Sequence, residues 1–121
     1  MITHVKHVSI PVKDQDAAIK FYTEKLGFTV VVDVDFNEGQ RWIEMQIPGA
    51  ETQVVLFTPD GHHDRIGTFS NIIFSSQDVK KTFEDLKSRG IEFLRELTQE
   101  SWGTFFIFKD IDGNSFCVSS T

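Results

Sequence analysis

Residues 7–28 read HVSIPVKDQDAAIKFYTEKLGF, and residues 71–93 read NIIFSSQDVKKTFEDLKSRGIEF. Set side by side, each is a short strand, an aspartate, a helical stretch, a glycine and the start of another strand. Asp14 matches Asp78 and Gly27 matches Gly90, at an offset of about 64 residues. The first helical stretch carries apolar residues at Ala18, Phe21, Tyr22 and Leu26, and the second at Val79, Phe83 and Leu86, both at helical spacing. The aspartates stand where N-caps belong and the glycines where helices stop. An internal repeat of this kind decides the architecture before any single residue does.

After each helix the apolar period falls to two. The first half continues as FTVVVDVDF, RWIEMQI and TQVVLFT, and the second as IEFLREL, TFFIF and SFCVSS. Turn signals stand at Asn37-Glu38-Gly39, Pro48-Gly49 and Asp112-Gly113-Asn114. Each half is therefore a βαβββ module. The expected fold class is α+β: two tandem modules forming a curved mixed sheet around a cleft. Residues 1–121 make a single domain, with module one at about 1–60, a linker PDGHHDRIGT at about 59–68 and module two at about 69–121.

Strand parity then sorts side chains by face. Val8, Ile10 and Val12 are expected to pack on the helix, leaving His7 and Ser9 toward the cleft. Ile43, Met45 and Ile47 take the helix side of RWIEMQI, leaving Trp42, Glu44 and Gln46 toward the cleft. In SFCVSS, Ser115, Cys117 and Ser119 share one face. Polar groups alternating along strands of a concave face point to a ligand site.

Composition narrows the function. Twelve phenylalanines in 121 residues allow a sizeable core. No apolar run approaches the roughly 18 residues that span a bilayer, and no secretory leader pattern opens the chain, so a cytoplasmic protein without membrane contact is expected. A single cysteine excludes an intrachain disulfide and a cysteine-based zinc site. The net charge is −6, with no Lys/Arg cluster to meet a nucleic acid.

With HVSIPVKD, FYTEKLGF and DIDGNSF in these places, the whole chain resembles the vicinal oxygen chelate superfamily. That group includes glyoxalase I, extradiol dioxygenases, fosfomycin-resistance thiol transferases and bleomycin-resistance proteins. The resemblance implies paired βαβββ modules. In metal-dependent members it implies an ion held by His or Gln on the opening strand, His on the second module's opening strand, and Glu on each closing strand. These positions fall on His7, on Asn71, on Val55 or Leu56, and on Cys117. One imidazole, one carboxamide, one thiol and one apolar residue do not make the three or more good donors that zinc, manganese, iron or nickel needs. No cofactor is therefore expected, with a divalent metal in a rearranged site as the alternative.

The candidate catalytic residues are His7, as a general base or hydrogen-bond donor, and Glu44. Glu44 is a carboxylate able to hold a cationic group, relay a proton with His7 or substitute as a metal ligand. The alternative is that His7 is a partly buried remnant bonded to Asn71 or Ser9. Cys117 needs a nearby cation or helix N-terminus to become a nucleophile, and otherwise is a small half-buried residue. The candidate ligand-binding residues are Trp42, Gln46, Phe57, Asn71, Trp102, Phe106 and Cys117, with Phe36 and Phe108 as further aromatic walls. His62, His63 and Asp64 are read as a solvated loop. The expected function is a metal-independent binding protein of the bleomycin-resistance kind, holding a small organic molecule. The resemblance implies a homodimer. The alternative is a lyase- or dioxygenase-type enzyme using His7 and Glu44.

Overall fold

The computed structural model describes residues 1–37, 40–58 and 63–121, with the backbone alone for residues 36, 37 and 63. The Asn37-Glu38-Gly39 turn, most of the PDGHH stretch and the side chains of Phe36, His62 and His63 therefore lie outside the described residues. Two compact units divide the chain, Met1–Ile66 and Gly67–Thr121.

The first unit comprises β1 (His7–Pro11), α1 (Gln15–Glu24), β2 (Thr29–Asn37), β3 (Gln40–Gln46) and β4 (Gln53–Phe57), followed by a short 3-10 turn at His63–Arg65. The second comprises β5 (Phe69–Ser76), α2 (Val79–Ser88), β6 (Phe93–Glu100), β7 (Gly103–Lys109) and β8 (Ser115–Ser120). Each unit builds a four-stranded mixed sheet, ordered β1-β4-β3-β2 and β5-β8-β7-β6. The closing strand runs parallel to the opening one in both, and the remaining pairs are antiparallel. This is the repeated α+β architecture that the sequence implies.

The punctuation residues act as their chemistry requires. The Asp14 side chain accepts the Ala17 N–H at 3.1 Å, and the Asp78 side chain accepts the Lys81 N–H at 3.1 Å. Each satisfies a backbone donor that the first helical turn leaves without an intrahelical partner. Gly27 and Gly90 end the helices at φ +77° and +79°, a left-handed backbone that costs other residues about 1–2 kcal/mol. After α2, Gly90 N–H donates to Lys87 O and Ile91 N–H to Leu86 O, turning the chain into the next strand.

Both cores form on the helix side of the sheet. In the first unit, Ala18 and Tyr22 of α1 are fully buried, as are Ile10, Val12, Ile43, Met45 and Leu56. Gln15 ties the first turn of α1 to the strands beneath it: its Nε2 donates to Arg41 O at 2.8 Å and Leu56 O at 3.1 Å, and its Oε1 accepts Arg41 N–H at 3.0 Å. In the second unit, Phe83 of α2 meets Phe93 and Phe106 at ring separations of 4.7 and 5.5 Å. Phe108 and Phe116 pair behind them at 5.5 Å. Aromatic contacts of this kind add stabilisation beyond the apolar area they bury.

Candidate functional site

The face of the first sheet away from α1 carries the polar cluster. Register places Ser9, Val55 and Glu44 abreast across β1, β4 and β3, with His7 opposite Gln53. Neighbouring strands lie about 4.8 Å apart, so β1 and β3 are about 10 Å apart with β4 between them. The side chains of His7 and Glu44 close that gap above Val55: His7 Nε2 lies 3.1 Å from Glu44 Oε1. Val55 is small, apolar and 1% exposed, and forms the floor beneath the contact. Of the two residues considered for the closing-strand position, Val55 shares the His7 face and Leu56 belongs to the core.

Trp42 completes the cluster from within β3. Two residues from Glu44 and on the same face, its indole Nε1–H donates to Glu44 Oε2 at 2.6 Å. Its ring stands edge-on to His7 at 6.0 Å. The Glu44 carboxyl is held below its ordinary range, chiefly by the indole N–H, with smaller help from His7 and Lys6 and against the opposing effect of burial. Both oxygens of an ionised Glu44 are therefore engaged. The His7 partner is Glu44 rather than Ser9, and the two candidate catalytic residues are in direct contact.

The remaining candidates distribute unevenly. Gln46 follows on the same face of β3, half-buried. Phe57 ends β4 opposite Pro11, half-buried, with the Arg65 guanidinium 5.8 Å from its ring centre. The other four lie in the second unit. Asn71 is exposed on β5 between Phe69 and Ile73, which are 55% and 64% exposed. Cys117 is half-buried opposite Ile73 and Ile107. Burial pushes its thiol pKa up, so it is held as the protonated, poorly nucleophilic form. Trp102 is exposed in the β6–β7 turn and stacks on Phe105 at 5.1 Å.

Phe106 corrects an expectation. It is fully buried and faces α2, with Phe83, Phe93 and Phe108 around it. Phe108, 1% exposed, shares that core. One register step along β7 sends Phe105 and Ile107 to the opposite face. Asp64 is exposed, and the rest of its histidine neighbourhood lies outside the described residues.

Parity counting also missed two residues. Val32 pairs with Glu44 and Val34 with Trp42. The ladder slips between Val30 and Val32, and such a bulge breaks the period-two pattern on which a face assignment rests. The run VVVDVDF gives no signal of where that slip falls.

A sequence profile of the Glyoxalase/Bleomycin resistance protein/Dioxygenase superfamily matches residues 4–118. The chain belongs to this superfamily. It is 38% identical over 118 residues to the uncharacterised protein YetH of Bacillus subtilis, covering 98% of each chain. A superfamily member from Sphaerobacter thermophilus shares 31% identity and superposes with a TM-score of 0.90, over 99% of this chain and 98% of that one. TnmS3, an antibiotic binding protein from Streptomyces sp. CB03234, shares 28% identity with a TM-score of 0.87, over 98% and 96% of the two chains.

Membership makes the metal question concrete. The resemblance assigns the superfamily's ligand positions to His7, Val55, Asn71 and Cys117. Val55 donates nothing, Asn71 is a neutral carboxamide and Cys117 is a thiol whose burial resists ionisation. Among the described residues no three His, Cys, Asp or Glu side chains gather as a cation site. The residues do not fit the metal of the superfamily's enzymes. No helix among the described residues is long and apolar enough to cross a membrane.

Proposed function

We propose that the protein binds a small organic molecule on the His7, Trp42, Glu44 face, without a metal. The observation that carries this reading is the His7–Glu44–Trp42 cluster at the superfamily's metal-binding end of β1. There the closing-strand position that the resemblance gives to a metal ligand is the apolar Val55, and the imidazole is paired with a carboxylate that also accepts an indole N–H. The flanking Phe57, Val32 and Val34 supply apolar surface, and pockets of that composition with a few fixed polar groups suit organic ligands. The resemblance to an antibiotic binding protein supports the same class of ligand. We infer a cytoplasmic homodimer as the working form.

A thermal-shift screen of aromatic antibiotics and related planar compounds, run with EDTA present, tests the reading. A ligand at 100 times its Kd stabilises the folded state by about 2.7 kcal/mol. The expected result is a compound that raises Tm in wild type and loses that effect in Trp42→Ala. Metal-dependent binding throughout, or hits indifferent to Trp42 and His7, would refute it.

The His7–Glu44 contact also favours a second reading, an enzyme in which this pair moves a proton. An imidazole backed by a carboxylate is a common general-base arrangement. Turnover of a bound compound, lost in His7→Gln with binding retained, distinguishes it from simple sequestration.

A further inference from the structure

The hydrogen bonds to Glu44 determine more than its own charge. Oε2 accepts the indole N–H of Trp42 at 2.6 Å, and Oε1 lies 3.1 Å from His7 Nε2. Oε2 already accepts a donor, and a glutamate carboxylate near neutral pH has no proton to give, so it can only accept. The proton between His7 and Glu44 therefore belongs to Nε2. A neutral imidazole carries one ring proton, so Nδ1 is left with a lone pair. Among the described residues none donates to His7 Nδ1, and the His7 side chain is 22% exposed. Trp42 stands edge-on to the ring at 6.0 Å.

We propose that Glu44 is a positioning residue that fixes His7 as the Nε2–H tautomer, making Nδ1 a hydrogen-bond acceptor for the ligand. The site then selects organic molecules bearing an O–H or N–H donor, such as a phenol, an enol or an imide, over their methylated counterparts. This rests on the binding reading above and names the ligand class for it. A ligand without the donor leaves Nδ1 unsatisfied as it displaces water, and a single neutral hydrogen bond at a partly exposed site corresponds to roughly tenfold in affinity.

The test has two arms, both on the full chain. Long-range proton–nitrogen correlation spectra of the ¹⁵N-labelled protein, at a mildly alkaline pH, report the tautomer of His7. The His7 signal is assigned by its loss in His7→Gln. The Nε2–H pattern is expected in wild type, with a tautomer mixture in Glu44→Ala; an Nδ1–H pattern in wild type overturns the proposal. The second arm titrates 2-naphthol and 2-methoxynaphthalene, which share a ring system and differ in the donor. The naphthol is expected to bind about tenfold more tightly, with the advantage gone in Glu44→Ala. Equal affinities overturn the donor selectivity while leaving the binding reading intact. Binding of neither probe at millimolar concentration also overturns the donor class, whereas the binding reading itself falls only with the wider ligand screen.

Discussion

The two units share one topology, yet the faces of their sheets away from the helix differ in kind. In the first, β1 and β3 send an imidazole, a carboxylate and an indole into one bonded cluster over Val55. In the second, β5, β7 and β8 present Phe69, Ile73, Ile107 and Cys117 together with the polar Asn71, Ser75 and Ser119. A repeat thus keeps what folding demands and diverges where folding is indifferent. N-cap aspartates, helix-ending glycines and the helix-side core are common to both. The faces away from the helices are not, and the bonded His7–Glu44–Trp42 cluster lies on one of them.

The sharpest test of that division is Phe106→Ala beside Cys117→Ala, two neighbours in the β7–β8 ladder that face opposite ways. Truncating the fully buried Phe106 is expected to cost roughly 3–5 kcal/mol in urea unfolding. A small loss would mean that the helix-side core is misassigned. On the first unit, Trp42→Phe keeps an aromatic ring but removes the donor to Glu44, with an expected cost of about 1–2 kcal/mol.

The same bond sets a pH dependence. Glu44's carboxyl is depressed on folding, so its contribution is fully present above the ordinary carboxylate range and is lost as pH falls through the lowered folded value. The stability difference between wild type and Glu44→Gln should therefore shrink as pH falls below about 4. A difference that instead grows below about pH 4 contradicts a paired, ionised Glu44. Asp14→Ala and Asp78→Ala should each cost about 1 kcal/mol, equal within error because the caps are equivalent. Smallest is Cys117→Ala, at under about 1 kcal/mol, with folding and ligand binding retained.

Much of this division was legible in the chain. The repeat beginning at His7 and Asn71 announced both modules, and alternation in RWIEMQI put Trp42, Glu44 and Gln46 on one face. What alternation could not supply was contact. That His7 reaches Glu44 follows from β4 lying between β1 and β3, an order fixed by tertiary pairing rather than by local pattern. Phe106 was misplaced because TFFIF is apolar at consecutive positions, and an unbroken run carries no parity. The face of Val32 and Val34 is not legible in VVVDVDF, because the bulge in β2 shifts the register against β3.

Metal-free ligand binding by this superfamily member is decided by elemental analysis of tag-free protein, after equilibration with micromolar zinc, nickel, manganese or iron and removal of free ion. Far less than one ion per chain is expected for every metal, with wild type and His7→Ala indistinguishable. One ion per chain in wild type, lost in His7→Ala, refutes the metal-free reading.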